Sequence, residues 1–374
     1  MSKSQALKET ARLFFKLGSI AFGGPAAHIA MMEDEVVRKR KWVSDQHFLD
    51  LIGATNLIPG PNSTEMTMHC GYERAGWAGL FVAGMTFIFP AVVITMILAW
   101  LYQTYGTLPQ VEPFLYGIKP AVIAIILSAV YRLGKKALKN VELGIIGVLT
   151  LIVCLLGVNE IAALFAFGLV GVLWFYIKKM RPAAPMVLPL LFLGGSWSIT
   201  SKSTLAILLS FLKVGALLFG SGYVLFAYLD AELVSTGVLT RQALIDAVAV
   251  GQFTPGPVLS TATFIGWQLN GFWGAIAATV GIFLPSFLFV GILNPLIPRL
   301  RKSPVLSAFL DAVNIAAVAV IIAVCFEMGR ESLTDWRTAL IGILSVAVVF
   351  GLKKVHSAWI VLGGALLGWG LSFM

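Results

Sequence analysis

The stretch NLIPGPN, residues 56–62, interrupts a run that otherwise has the composition of a membrane helix. A proline removes a backbone donor and pushes the residue before it out of helical geometry, so two prolines around a glycine end a helix. A second stretch, QFTPGPV at residues 252–258, places the same Pro-Gly-Pro triplet in another apolar run. Because freed backbone groups cannot face lipid, each triplet predicts a polar cavity or a contact buried in protein.

Composition is typical of a multi-pass membrane protein. Hydrophobic residues make up 58% of the 374 residues and charged residues 12%, and the mean hydropathy is +0.89. The formal net charge of +9 is explained by lysine and arginine retained in cytoplasmic loops. Basic and aromatic residues are not interleaved on a polar face, so we expect a lipid bilayer around the protein and no nucleic-acid partner.

The two triplets belong to an internal repeat. The segment FKLGSIAFGGP at residues 15–25 aligns with LKVGALLFGSG at residues 212–222. In the same order, residues 42–61 align with residues 238–257, so that the triplets coincide and Asn56 falls on Gln252. Further on, Pro90 matches Pro285. The chain is therefore predicted to consist of two homologous halves, residues 1–190 and 191–374.

Each half contains about six hydrophobic stretches. The first two stretches of each half are broken, by GGP and PGP in the first half and by GSG and PGP in the second. Interrupted segments at matching places in two repeats point to the binding site of a transporter. The stretches lie near residues 11–34, 46–70, 76–103, 115–133, 142–157 and 160–177, and near residues 204–232, 241–267, 272–297, 309–328, 338–352 and 356–374.

Charge placement predicts the relative orientation of the halves. The loop after the first stretch contains RKRK at residues 38–41, whereas the matching second-half loop has only Arg241. The loop after the third stretch has only Lys119 in the first half, but Arg299, Arg301 and Lys302 in the second. Matching loops that differ in charge in this way are expected on opposite sides of the membrane, because positive charge is retained on the cytoplasmic side. This requires each half to cross the membrane an odd number of times. We predict an all-α polytopic membrane protein built from inverted repeats, with about ten crossings, helices that are broken or re-entrant at the triplets, and an outside N-terminus.

The motifs resemble the two-domain, long-chain form of the chromate transporter family. The resemblance extends over both repeats and most of the chain. It implies a carrier of the dianion chromate, for which sulfate is the structurally similar competing oxyanion. It is carried by FGGPAAHIAMMEDE (22–35), NLIPGPNSTEM (56–66), GYERAGWAG (71–79), FGSGYVLFAYLDAELV (219–234), VGQFTPGPV (250–258), TATFIGWQLNG (261–271) and ATVGIFLPSFL (278–288).

Physical chemistry indicates how an anion could be held. A broken helix leaves the first amides of its second part unsatisfied, and that end carries partial positive charge. Hydroxyl and amide residues follow both triplets and could form a nest for tetrahedral oxygens, although capping or close packing is the alternative. Two lysines at matching repeat positions could balance a dianion, unless they snorkel to the interface. Predicted substrate-binding residues are Lys16, Gly23, Gly24, Asn56, Pro59, Gly60, Pro61, Asn62, Ser63, Thr64, Lys213, Gly220, Ser221, Gln252, Thr254, Pro255, Gly256, Pro257, Ser260, Thr261 and Thr263.

Acidic residues near the breaks are candidates for coupling transport to protons. Glu65 follows the first triplet, and Thr261 takes its place in the second half. The alternative for most of these acids is that they are ordinary charges at helix ends or in loops. The alternative for a lone histidine is that it packs in the interior with its hydrogen bonds satisfied. The coupling candidates are Glu65, Asp246, Glu33, Asp230 and His28.

Enzyme chemistry lacks support in the sequence. The four histidines and three separated cysteines form no HExxH, CxxC, GxSxG or GxxxxGKST pattern, so we expect no enzyme activity, no metal and no cofactor. We predict a secondary transporter of a tetrahedral oxyanion, with chromate efflux across the cytoplasmic (inner) membrane of a prokaryote as the function. The alternatives are an uptake carrier for sulfate or another oxyanion and an anion channel. The sequence does not determine whether the protein forms a homodimer, in which direction it transports the anion or which ion is coupled to transport.

Overall fold

The structure is a computed structural model, and it describes residues 2–21, 24–55, 58–106, 108, 111–179, 202–219, 222–293, 304–352 and 355–373. Within these residues the chain is helical and contains no strand. The first half contains α1 (Lys3–Ile20), α2 (Pro25–Met32), a π-helical segment (Glu33–Lys39), α3 (Asp45–Thr55), α4 (Asn62–Tyr105), α5 (Glu112–Ala137), α6 (Val141–Leu155) and α7 (Glu160–Lys179).

The second half repeats this order of elements. It contains α8 (Thr204–Leu217), α9 (Val224–Leu229), a π-helical segment (Asp230–Val234), α10 (Arg241–Phe253), a 3-10 turn (Val258–Ser260), α11 (Thr261–Leu293), α12 (Pro304–Ser332), α13 (Trp336–Gly351) and α14 (Ser357–Leu371). Within the part of the chain that the structure describes, five helices are long and apolar enough to cross a membrane, namely α4, α5, α7, α11 and α12. This confirms the predicted class, a helical multi-pass membrane protein.

The four predicted interruptions are present at matching places. Residues 21–24 separate α1 from α2, and residues 218–223 separate α8 from α9. Residues 56–61 separate α3 from α4, and residues 254–257 separate α10 from the 3-10 turn. Below, residues 21–24 are the α1 break, residues 218–223 the α8 break, residues 58–61 the first Pro-Gly-Pro loop and residues 254–257 the second.

Helices α4 and α11 each contain a sharp reversal. The backbone leaves helical geometry at residues 75–76 and 270–271, where Gly76 and Gly271 have φ of +62° and +57°. A Cβ on Gly79 would overlap the carbonyl oxygen of Gly71, whereas residues eight apart in a straight helix are separated by about 12 Å. Each helix is therefore a hairpin of two arms, residues 62–74 and 77–105 in α4, and residues 261–269 and 272–293 in α11.

The second arm of each hairpin packs closely against the first helix of its own half. A Cβ on Gly18 of α1 would overlap the carbonyl oxygen of Phe87, and a Cβ on Gly215 of α8 would overlap that of Ile282. Both pairs occupy the same repeat position. Glycine allows two helix backbones to approach at these points, as small residues commonly do between helices in membranes.

Replacing Gly215 with valine is expected to destabilise the protein. The added side chain must push α8 away from the backbone of Ile282, and overpacking of this kind costs about 1–3 kcal/mol or more. We expect the midpoint of thermal unfolding in detergent to fall by several degrees. Gly329→Val is the matched control, because no atom lies within 4 Å of a Cβ at that helical glycine. Equal effects of the two substitutions would contradict the assigned contact.

The two halves interlock. The second arms of α4 and α11 meet where the rings of Phe81 and Phe287 stack with centroids 5.6 Å apart. Beyond the hairpins, α5 of the first half packs against α12, α13 and α14 of the second, and α12 also packs against α6 and α7. Neither half therefore buries its apolar surface alone.

Candidate functional site

The Pro-Gly-Pro loop of each half is bonded to the broken first helix of the other half. The amide of Gly60 donates to the carbonyl oxygen of Leu218 at 2.7 Å, and the amide of Gly256 donates to that of Ala21 at 2.9 Å. Ala21 and Leu218 are equivalent in the repeat, and each ends its helix as the C-terminal cap. Carbonyls at a helix end lack partners within the helix, and the crosswise bonds satisfy one such carbonyl in each half.

Tyr223 connects the α1 break, the α8 break and the second loop. Its hydroxyl lies 4.0 Å from the position of a Cβ on Gly24 in the α1 break. The same residue lies beside the side chain of Gln252, two residues before the second loop. With the two crosswise bonds, these contacts bring all four interruptions together, as the sequence predicts for a shared binding site.

The glycine of each triplet has a backbone conformation and a crowding that exclude a side chain. Gly60 has φ of +139° and Gly256 has φ of +90°, both in the region that favours glycine. A Cβ on Gly60 would overlap Oε1 of Glu65 and Oγ of Ser286. A Cβ on Gly256 would lie 3.0 Å from the Cβ of Ala91 in α4. The loops therefore pack through their backbones.

Each loop directly precedes a helix N-terminus. The carbonyl oxygen of Pro61 accepts from the amides of Thr64 and Glu65 at 2.8 and 3.0 Å, and that of Pro257 accepts from Ser260 at 3.0 Å. The positive end of the helix dipole, which attracts anions, thus points toward the break in both halves.

Several buried polar atoms around the loops meet no hydrogen-bond partner among the described residues. Most buried polar atoms in proteins are hydrogen-bonded, so a group of exceptions indicates a place for a polar occupant. By contrast, Thr261 bonds to the carbonyl oxygen of Val258, and Thr263 bonds to Thr279, each at 2.8 Å. The unpartnered atoms are Nδ1 of His28, Oγ1 of Thr64, Oε1 and Oε2 of Glu65, Nε2 of Gln252, Oγ of Ser260 and Oγ of Ser286.

Both predicted lysines form ion pairs in their own half. Nζ of Lys16 lies 3.3 Å from Oε1 of Glu35, and Nζ of Lys213 lies 2.5 Å from Oε1 of Glu232. The two carboxylates are buried in the π-helical segments, whereas the side chains of Lys16 and Lys213 are 57% and 28% exposed. The sequence contains the signal for this pairing, since lysine and glutamate are 19 residues apart in both halves.

The coupling candidates lie in different surroundings. Glu33 pairs with Arg38 at 2.8 Å, and Asp230 receives two bonds from Arg241 at 3.0 and 3.2 Å. Asp246 is buried and accepts a bond of 2.7 Å from the hydroxyl of Tyr102 and one of 3.2 Å from the side-chain amide of Gln242.

The remaining two candidates, His28 and Glu65, are both buried. Nε2 of His28 donates to the carbonyl oxygen of Ala21 at 3.0 Å, the same oxygen that accepts from Gly256. Glu65 is fully buried, and no cation of the described residues lies within ion-pairing distance of its carboxylate.

The other predicted residues are placed as follows. Pro59, Pro61, Ser63, Pro255 and Pro257 are buried in the loops or directly after them, and Asn62 is half-buried. Four predicted residues, Gly23, Asn56, Gly220 and Ser221, lie outside the described residues.

Sequence reasoning missed three residues at the breaks, as well as the pairing of the two lysines with Glu35 and Glu232. Oγ1 of Thr95 lies 3.4 Å from Oγ1 of Thr254, Ser286 lies against Gly60, and Tyr223 lies against Gly24. Thr95 and Ser286 belong to the second arms, far along the chain from the loops they contact. For Ser286 a signal existed, because it follows a proline inside an apolar helix, where freed backbone and a hydroxyl are often found together.

Comparison with known proteins gives a consistent picture. A family model described as "Chromate transporter" matches residues 8–172 and again residues 205–369. The chain is 32% identical to a probable chromate transport protein of Synechococcus elongatus, over 97% of this chain and 95% of that protein. It is also 32% identical to a chromate transport protein of Cupriavidus metallidurans, over 97% and 92%, and 30% identical to one of Pseudomonas aeruginosa, over 95% and 90%. No solved structure matches the chain.

Proposed function

Because the chain belongs to the chromate transporter family, we propose that it is a secondary transporter that exports chromate across the cytoplasmic membrane of a prokaryote. The family and the relatives named above are transport proteins, and the chain is not an enzyme. Sulfate, a dianion of the same shape, competes for the site or is exchanged through it.

One observation carries the proposed binding site: the crosswise bonds from Gly60 to Leu218 and from Gly256 to Ala21. They join each loop to the broken helix of the other half, and Tyr223 lies between the two pairs, with helix N-termini and buried hydroxyls around them. A tetrahedral dianion needs several donors in a small volume, and backbone amides, hydroxyls and helix ends supply these. In the proposal the site consists of the residues predicted from the sequence, and Lys16 and Lys213, each bonded to its glutamate, supply positive charge beside the breaks.

Export is the direction that the membrane potential favours for a dianion. Each charge gains about 2.3 kcal/mol per 100 mV on moving from the negative interior outward, which is about 4.6 kcal/mol for two charges. An uptake carrier would need co-transported cations or exchange to overcome the same amount. The proposed direction rests on this argument.

Purified protein in liposomes is expected to take up labelled chromate. Uptake should saturate with chromate concentration, should be accelerated by unlabelled chromate on the opposite side, and should be inhibited by sulfate. Acceleration of this kind, called counterflow, is a property of carriers and not of channels. Protein-free liposomes are the control. Absence of uptake would refute chromate as the substrate. Uptake that neither saturates nor shows counterflow would favour an anion channel over a carrier.

Cells that express the protein are expected to accumulate less labelled chromate than cells with an empty vector. Increased accumulation would reverse the proposed direction while keeping the substrate. Unchanged accumulation, together with failure in liposomes, would remove chromate from consideration.

A further inference from the structure

We propose that the two Pro-Gly-Pro loops have different tasks, with the oxyanion held at the second loop and a coupling proton held on Glu65 at the first. This inference rests on the proposed transport function and assigns its parts to particular residues.

The loops differ at repeat-equivalent positions. Glu65 stands after the first triplet where Thr261 stands after the second, and Ser286 faces the first loop where Ala91 faces the second. The carboxylate of Glu65 and the hydroxyl of Ser286 lie so close to Gly60 that a Cβ there would overlap both. The first loop therefore has a carboxyl group and a hydroxyl directly against the backbone of its glycine, and the second has the methyl group of Ala91 there.

Glu65 also differs from the other buried acids. Glu35 is surrounded by Lys16, Lys39 and Arg40, and Asp230 is bonded to Arg241. Glu65 has no cation among the residues that the structure describes, and its side chain is fully buried. Burial of an unpaired carboxylate is unfavourable, whereas the neutral carboxylic acid is tolerated much better, so such a group in a membrane is a proton carrier by default.

The second loop is the better place for a dianion. An ionised carboxylate repels an anion at short range in a low-dielectric interior, which disfavours the first loop. Residues 250–263 contain no aspartate or glutamate. Instead, Nε2 of Gln252 and Oγ of Ser260 are buried without a partner among the described residues, and Thr95 lies beside Thr254.

The two tasks are linked through the crosswise bonds. The first loop is bonded to the end of α8, and the second loop is bonded to the end of α1. A change in charge at Glu65 alters the packing around Gly60, and the α8 break leads through Tyr223 to Gln252 at the anion site. Proton exchange at Glu65 and movement of the anion are thereby tied to the same set of breaks, and the ionised carboxylate disfavours a bound anion.

Other titratable groups lie on the elements packed against the first arm of α4. Lys16 is bonded to Glu35, His47 to Glu73 and Asp246 to Tyr102, and helix α11 carries no acidic, basic or histidine residue. His69 on the same arm and His28 on α2 are buried. The full set is Lys3, Lys8, Glu9, Arg12 and Lys16 on α1, His28 on α2, Asp45, His47 and Asp50 on α3, His69, Cys70, Tyr72, Glu73 and Arg74 on the arm itself, Tyr102 and Tyr105 on the second arm of α4, and Arg241 and Asp246 on α10.

The test compares two kinds of chromate flux in liposomes. Counterflow at equal pH on both sides measures anion binding and translocation, and uphill chromate movement driven by an imposed pH gradient measures coupling. Glu65→Gln is expected to retain counterflow and to lose the response to the gradient. Gln252→Ala is expected to raise the KM of counterflow about tenfold, as the loss of a hydrogen bond to a charged group does, and to keep the response to the gradient.

Asp246→Asn serves as the comparison, since its carboxylate already accepts two hydrogen bonds, and it is expected to leave the response to the gradient in place. The inference fails if Glu65→Gln still responds to the gradient, or if it raises the KM as Gln252→Ala does. If wild-type protein shows no chromate counterflow, the proposed function itself fails, which is a separate result.

A measurement on wild-type protein guards against a variant that does not fold. Dicyclohexylcarbodiimide reacts with protonated carboxyl groups in apolar surroundings, and mass spectrometry locates the adduct. Glu65 is expected to be modified, with less modification as the pH rises, while the lysine-bonded Glu232 is not. A Glu65 that stays unmodified at acidic pH would overturn the inference.

Discussion

Gly256→Ala is expected to lower the rate of chromate transport at least about 30-fold. Alanine is strained at φ of +90°, and its Cβ would lie 3.0 Å from the Cβ of Ala91 and 3.1 Å from the carbonyl oxygen of Gly18. Strain and crowding together amount to about 2–5 kcal/mol, and each 1.4 kcal/mol is a factor of ten in the population of the competent structure. If the loop shifts to accommodate the alanine, the hydrogen bond from the amide of Gly256 to the carbonyl oxygen of Ala21 is lengthened or broken.

The measurement is the initial rate of chromate counterflow at matched amounts of protein in liposomes. Gly237→Ala is the matched control, because Gly237 has φ of +73° but no atom within 4 Å of its Cβ position. That variant carries the backbone strain without the crowding, so its rate is expected to stay close to that of the wild type. Equal losses in the two variants, or none in Gly256→Ala, would contradict a special position of the second loop.

Lys213→Ala is expected to abolish transport while the protein still reaches the membrane. The substitution removes positive charge beside the α8 break and leaves the buried carboxylate of Glu232 without its cation. An unpartnered buried charge costs about 1–3 kcal/mol or more, so the amount of folded protein should also fall. Lys16→Ala should have a smaller effect on folding, because that side chain is 57% exposed.

The double variant Lys213→Ala/Glu232→Gln separates the two effects. It removes the lysine and the carboxylate together, so no buried charge is left unpaired and the amount of folded protein should recover. If the lysine charge serves the dianion, transport stays absent in the double variant. A wild-type rate of counterflow in the double variant would instead assign the pair to stability and remove Lys213 from the proposed site.

The sequence by itself determined the class of protein, the two halves and the four helix interruptions. These features are local, since a proline or a glycine alters the backbone within a few residues, and apolar runs need only their own composition to be recognised. Positions such as Gly60 and Gly256 could therefore be picked out from the triplets alone. The order of motifs, repeated twice, also pointed to the family that the comparisons confirm.

Only the tertiary structure decided which break meets which. Gly60 bonds to Leu218, and Gly256 bonds to Ala21, across 158 and 235 positions of the chain. Those pairings follow from helix packing, such as the glycine contacts of α1 and α8 with the hairpins, and packing depends on all the surrounding segments at once. For the same reason Ser286 and Thr95 became visible as neighbours of the loops only when the second arms were in place. Glu65 stood in the first motif from the outset. Its burial with no cation partner among the described residues is a property of the folded chain, because several helices must close around it.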